Sequence, residues 1–142
     1  MRKRILVVND TQAILDLFRN ILEEEGYEVM LSSFPTQDMK EIEHIHPDLI
    51  ILDFVFGDQK TGWQMLQMLK MQRSTASIPV IVCSAALRDV QEVEGYLVSK
   101  GVLVLYKPFE IDNLLSIITQ ALAASSSIPA LIDDETESRK KK

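Results

Sequence analysis

Five short apolar runs, at residues 5–8, 27–31, 49–52, 80–82 and 102–106, alternate with stretches whose apolar residues recur at helical spacing. No other feature narrows the fold of the chain so far. Apart from Glu28 in the second, the runs are continuously apolar instead of alternating with polar residues, as strands covered on both faces of a parallel sheet require. After the first run, Ile14, Leu15, Phe18, Ile21 and Leu22 form one stripe, and Gly26 supplies a stop. Residues 36–46 carry Met39, Ile42 and Ile45 three apart, ahead of Pro47. Thr61 is placed to cap a third helix bearing Trp63, Leu66, Met68 and Leu69. Val90, Val93, Leu97 and Val98 mark a fourth over residues 88–99. Asp112 stands in the first turn of a fifth, where an acid suits the helix dipole, with Leu114, Leu115, Ile118 and Leu122 inward. A β-α unit repeated five times predicts an α/β fold, a doubly wound parallel sheet with right-handed crossovers. Ligands of such sheets bind at the carboxyl ends of the strands.

The bulk properties limit the partners. The chain has 142 residues, the length of one ordinary domain, and its net charge is −6. An acidic balance argues against nucleic acid, whose binding rests on cationic contacts to phosphate. After Ala124 the composition shifts to serines and then to charge, so residues 1–124 are read as the domain and 125–142 as a flexible charged tail. The basic residues 139–142 follow Asp133, Asp134 and Glu135 and are expected to be a solvated part of that tail. The apolar runs are far shorter than the ~20 residues that span a bilayer, so no membrane association is expected. The basic Arg2, Lys3 and Arg4 precede only four apolar residues, too few for an export signal. One cysteine, Cys83, excludes an internal disulfide, fits a reducing cytoplasm, and is expected to be an inert core thiol.

The polar residues at the strand ends carry the chemistry. The first run ends in Asn9 and Asp10, the third in Asp53, the fourth in Ser84, and the fifth in Lys107 and Pro108. In a parallel sheet all of these reach the same edge. Two carboxylates held close repel one another, so a hard divalent cation such as magnesium is their natural partner. A carboxylate is also a competent nucleophile toward phosphorus. A lysine and a hydroxyl suit the oxygens of a transferring phosphoryl group, which needs positioning and charge neutralisation above all.

The strings I-L-V-V-N-D, P-D-L-I-I-L-D, I-P-V-I-V-C-S-A and K-P-F resemble the four signature blocks of response-regulator receiver domains, in order, from about residue 3 to residue 124. The resemblance, to the stand-alone type, implies a (βα)5 flavodoxin-like sheet of strand order 2-1-3-4-5. It implies that Asp53 is the phosphoacceptor, Ser84 the switch hydroxyl and Lys107 the lysine pairing with the phosphoryl group. Magnesium would be held by Asp10, Asp53 and the backbone carbonyl of Val55, with Asn9 acting through water. Lys107-Pro108 would be a cis peptide. A histidine kinase or phosphotransfer protein would be the donor, with small acyl phosphates as substitutes. The output would go to an unknown downstream protein, from a monomer or a phosphorylation-dependent homodimer. Such a protein is at most its own substrate, taking up and losing the phosphoryl group on Asp53.

Three departures bear on this. Asn9 stands where the family usually has an acid; the loop after Asp53 is one residue longer than usual and carries Asp58; and Val104 stands where the family often has an aromatic switch residue, with Tyr106 two places on. They favour an alternative, a degenerate receiver that binds a partner constitutively. Val55 and Ala86, both apolar, flank the path of attacking water and imply slow self-dephosphorylation. A haloacid-dehalogenase-like phosphatase would want an acid two residues after the nucleophile, and Val55 occupies that place. No Gly-rich loop follows the first strand, which argues against a nucleotide or flavin site. Taken singly, Asp53 could cap a turn, Asp10 could cap the first helix, Ser84 could be a plain strand-end hydroxyl and Lys107 a surface lysine. His44 and His46 are expected on the surface, and the methionines near Trp63 in helix packing.

Overall fold

The computed structural model describes residues 2–36, 38–53, 61–84 and 94–132. Among these, strands β1 (Arg4–Val8), β2 (Glu28–Ser32), β3 (Leu49–Asp53), β4 (Val80–Ser84) and β5 (Leu103–Tyr106) alternate with helices α1 (Gln12–Glu24), α2 (Met39–Ile45), α3 (Thr61–Met71), α4 (Glu94–Ser99) and α5 (Ile111–Ile132). The strands form one parallel sheet in the order β2-β1-β3-β4-β5. The expected fold class and strand order are therefore observed.

Strand alternation sends each continuous apolar run to both faces at once. Leu6, Val8, Ile50, Leu52, Val80 and Val82 pack with Met39 and Ile42 of α2, Met65, Leu66 and Leu69 of α3, and Leu97 of α4. Ile5, Val7, Leu49, Ile51, Ile81, Cys83 and Leu105 pack with Leu15, Phe18 and Leu22 of α1 and Leu114, Ile118 and Ala121 of α5. Burying each such side chain is worth roughly 1.5–3 kcal/mol, so these two layers hold the sheet rigid beneath its edges. Cys83 is buried in the second layer and, as the one cysteine of the chain, forms no internal disulfide.

Two glycines set helix ends. Gly26 has φ +92° and Gly101 φ +71°. The Gly26 amide donates to Glu23 O and the Tyr27 amide to Leu22 O, at 3.0 and 3.1 Å. Gly101 and Val102 repeat the pattern onto Val98 O and Leu97 O, at 3.1 and 2.9 Å. Both are Schellman ends, which need a residue free to turn left-handed.

Boundaries differ from the sequence reading in three places. Helix α2 starts at Met39, not near residue 36, because the Asp38 carboxylate caps it by accepting from the Lys40 amide at 3.0 Å. Asp10 lies one residue before the N-cap of α1, which is Thr11. Helix α5 continues to Ile132, so residues 125–132 are helical where a tail was expected. The chain has no glycine after Gly101 to end that helix. Residues 85–93, including the first half of the expected fourth helix, and residues 133–142 lie outside the described residues. Among the described residues no helix is long and apolar enough to cross a membrane.

Candidate functional site

Sheet register decides which polar residues share an edge. Val8 is the Cα partner of Leu52, so Asn9 comes level with Asp53. Asp53 pairs with Cys83 and Ser84 with Tyr106, so Ser84 and Lys107 follow one step further along the next two strands. Neighbouring strands are about 4.8 Å apart, so the ends of β1, β3, β4 and β5 fall within roughly 15 Å of each other. The backbones of Asn9, Asp10, Asp53, Ser84 and Lys107 thus lie together at the carboxyl edge.

The end of β1 is shaped by a short hydrogen-bonded chain. Asn9 is 4 % exposed, and its amide N–H donates to Ser32 O at 3.1 Å. Its side-chain Oδ1 accepts from the Thr11 amide at 2.9 Å, closing a turn that carries the chain into α1. The Thr11 hydroxyl donates to Asp10 Oδ1 at 3.2 Å and makes no bond to the helix it precedes. Asp10 is exposed at the mouth of this turn. The sequence reading passed over Thr11, which by itself carries only a helix-start signal, yet its hydroxyl is the group that bonds Asp10.

At the other end of the edge, Lys107 follows β5 directly and is half-buried, and Lys107-Pro108 is cis, as expected. Val104 packs on the layer formed by α2, α3 and α4, together with Trp63 and Tyr96. Strand alternation puts Tyr106 on that same side, 39 % exposed and in register with Ser84. His44 and His46 are both exposed. Val55, Asp58 and Ala86 lie outside the described residues.

The residues that the register brings to this edge include Asp10, Asp53 and Asn9, whose side chains offer oxygen donors. That chemistry fits a hard cation such as magnesium, which accepts one or two carboxylates and completes its octahedron with other oxygens. Among the described residues no three His, Cys, Asp or Glu side chains cluster.

Comparison with known proteins agrees with this geometry. The family model of the response regulator receiver domain matches residues 5–119. The chain is 30% identical over 126 residues to the DNA-binding dual master transcriptional regulator RpaA of a Synechocystis strain, covering 89% of this chain and 52% of the relative. It spans about half the length of the curated relatives it matches. A CheY-like receiver domain from Methanospirillum hungatei superimposes with TM-score 0.73 at 27% identity, covering 89% of this chain and 98% of that one. The receiver domain of sensor histidine kinase PA1611 from Pseudomonas aeruginosa, solved with magnesium in its active site cleft, superimposes with TM-score 0.73. It is 23% identical and is covered to 99% by 87% of this chain, a likeness that speaks for the fold.

Proposed function

Because the chain belongs to the response regulator receiver family, we propose that it takes a phosphoryl group onto Asp53 and passes the change to a protein partner. The observation that carries this reading is the register of β1, β3, β4 and β5, which brings Asp10, Asp53, Ser84 and Lys107 to one edge. A carboxylate oxygen of Asp53 attacks phosphorus of a phosphohistidine, or of an acyl phosphate. The new P–O bond forms as the P–N or P–O bond to the donor breaks, and the departing group keeps that electron pair. Lys107 and Ser84 meet the phosphoryl oxygens, supplying positive charge and a hydroxyl donor. Asp10, Asp53 and the Val55 carbonyl would hold magnesium, with Asn9 reaching it through water. When bound, the ion offsets carboxylate repulsion and the charge on the phosphoryl oxygens. Thr11, by holding Asp10, is a positioning residue.

The output follows from where Ser84 and Lys107 sit. Motion of either toward the phosphoryl group bears on β5 and α4, whose outer surface includes Val98, 70 % exposed, and Tyr106. That surface is where a downstream protein would engage. The DNA-binding named for the curated relatives belongs to proteins nearly twice as long as the matched region. By the family resemblance Val55 and Ala86, both apolar, would flank the water path, so the phosphorylated state is expected to decay slowly. Rapid loss of the phosphoryl group after donor removal would count against that part of the reading.

Asn9 and Val104 favour one second reading, a receiver that binds its partner without phosphorylation. Beryllofluoride with magnesium separates the two, because it mimics the phosphoryl group without chemistry. Amide shifts at Asp53, Ser84, Tyr106 and Lys107 in an NMR spectrum are expected. A spectrum that does not change would favour the degenerate receiver.

A further inference from the structure

At the opposite edge of the sheet a recess of about 220 Å³ opens between the end of α3, the starts of β4 and β5, and the middle of α5. Its floor and walls are apolar, from Pro79, Val80, Leu103 and Ala121, and its two charged residues, Lys70 and Lys100, are both cations. Lys70 is half-buried, and its Nζ donates to Ile78 O at 2.8 Å and Ala76 O at 3.2 Å. An ammonium has three N–H donors, and the third finds no partner among the described residues. Lys100 Nζ lies 5.8 Å from the centre of the Tyr96 ring. Among the described residues neither lysine pairs with a carboxylate. The wall that carries the accepting carbonyls is itself fixed, since the fully buried Thr75 hydroxyl donates to Leu69 O at 2.7 Å.

We propose that this recess binds a small organic anion, with its carboxylate against Lys70 and Lys100 and its apolar body over Pro79, Val80, Leu103 and Ala121. The two features set the ligand class. Two cations at one mouth, neither paired with a carboxylate among the described residues, select against a neutral or cationic guest, and an apolar floor selects against a fully hydrated inorganic ion. The volume suits one ring or a short chain, since an apolar hole of about 150 Å³ accepts benzene. The site is separate from the phosphoacceptor edge: β4 runs from Val80 in the recess to Ser84, four residues or about 13 Å away. Burial, and then the charge of Lys100, lower the Lys70 pKa to about 8, as two cations without a counter-ion should do.

The test is an NMR titration of the full chain with benzoate, benzamide and inorganic phosphate in parallel. Benzoate is expected to shift the amides of Lys70, Val80, Gly101 and Leu103 saturably, with a Kd of roughly 1–10 mM for so small a ligand. Benzamide and phosphate should each bind at least about tenfold more weakly. The double variant Lys70→Met, Lys100→Met should lose benzoate by the same factor. Ala124→Trp, which fills the mouth and keeps both lysines, should lose it too, and it decides the matter if the double variant does not fold. No saturable shifts, equal shifts with benzamide or phosphate, or full binding by Ala124→Trp would overturn the proposal.

Discussion

Asn9 is almost fully buried at the end of β1, its side-chain oxygen already accepting the Thr11 amide. An aspartate there could keep that bond and add a charge beside Asp10 and Asp53. Asn9→Asp is therefore expected to tighten magnesium by about tenfold, near 1.4 kcal/mol, when followed by calorimetry. Without the ion the same variant should melt lower, because a third carboxylate repels the other two. Unchanged magnesium affinity would remove Asn9 from the metal site. Lys70 gives a second prediction. Its pKa falls from 10.5 to about 8 in the fold, by burial first and by Lys100 second. Between those values the unfolded chain holds the proton and the folded chain does not, so raising the pH across that window stabilises the fold. Below about 8 both states are charged and the penalty is complete. The stability of Lys70→Met minus that of the wild type should thus be flat below pH 8 and fall as pH rises toward 10.5. Partial exposure screens the effect to the order of 1–2 kcal/mol. A difference that rises with pH would contradict this. The places of Asp53 and Lys107 at the carboxyl edge were legible in the sequence because both residues follow apolar runs directly. Lys70 and Thr11 were not, since their roles come from partners six to eight residues away or from a hydroxyl turned away from its own helix.

At the scale of elements, two glycines in and after α4 should respond in opposite ways. Gly101 has φ +71° with open space where a Cβ would go, so Gly101→Ala costs only backbone strain, about 1–2 kcal/mol. Gly95 lies inside α4 with equally open surroundings and no such conformation, so Gly95→Ala should stabilise by about 0.4–1 kcal/mol. Chemical denaturation of both variants checks the pair, and the same sign for both would refute the assignment of the α4 end. The strands were legible because a sheet covered on both faces needs apolar runs, and five stand out, with Glu28 the one charge in them. The helix ends were less so. Asp38 shortens α2 by a cap that composition does not reveal, and α5 runs past the serines at 125–127 because propensity alone is a weak stop.

For the molecule as a whole, the sheet separates two kinds of site. The carboxyl edge gathers acids, an amide, a hydroxyl and a lysine from four strands, and this was legible because parallel topology aligns every strand end. The opposite edge gathers Lys70, Lys100 and Ala121 from two helices and a turn, and no spacing rule in the sequence brings those together. The claim on which the account turns is that Asp53 accepts phosphate. Intact-mass analysis after incubation with acetyl phosphate and magnesium, wild type beside Asp53→Ala, tests it most directly. The account predicts a gain of one phosphoryl group in the wild type and none in the variant. No gain in the wild type, with acetyl phosphate or with a panel of histidine kinases, or an equal gain in both proteins, would contradict it.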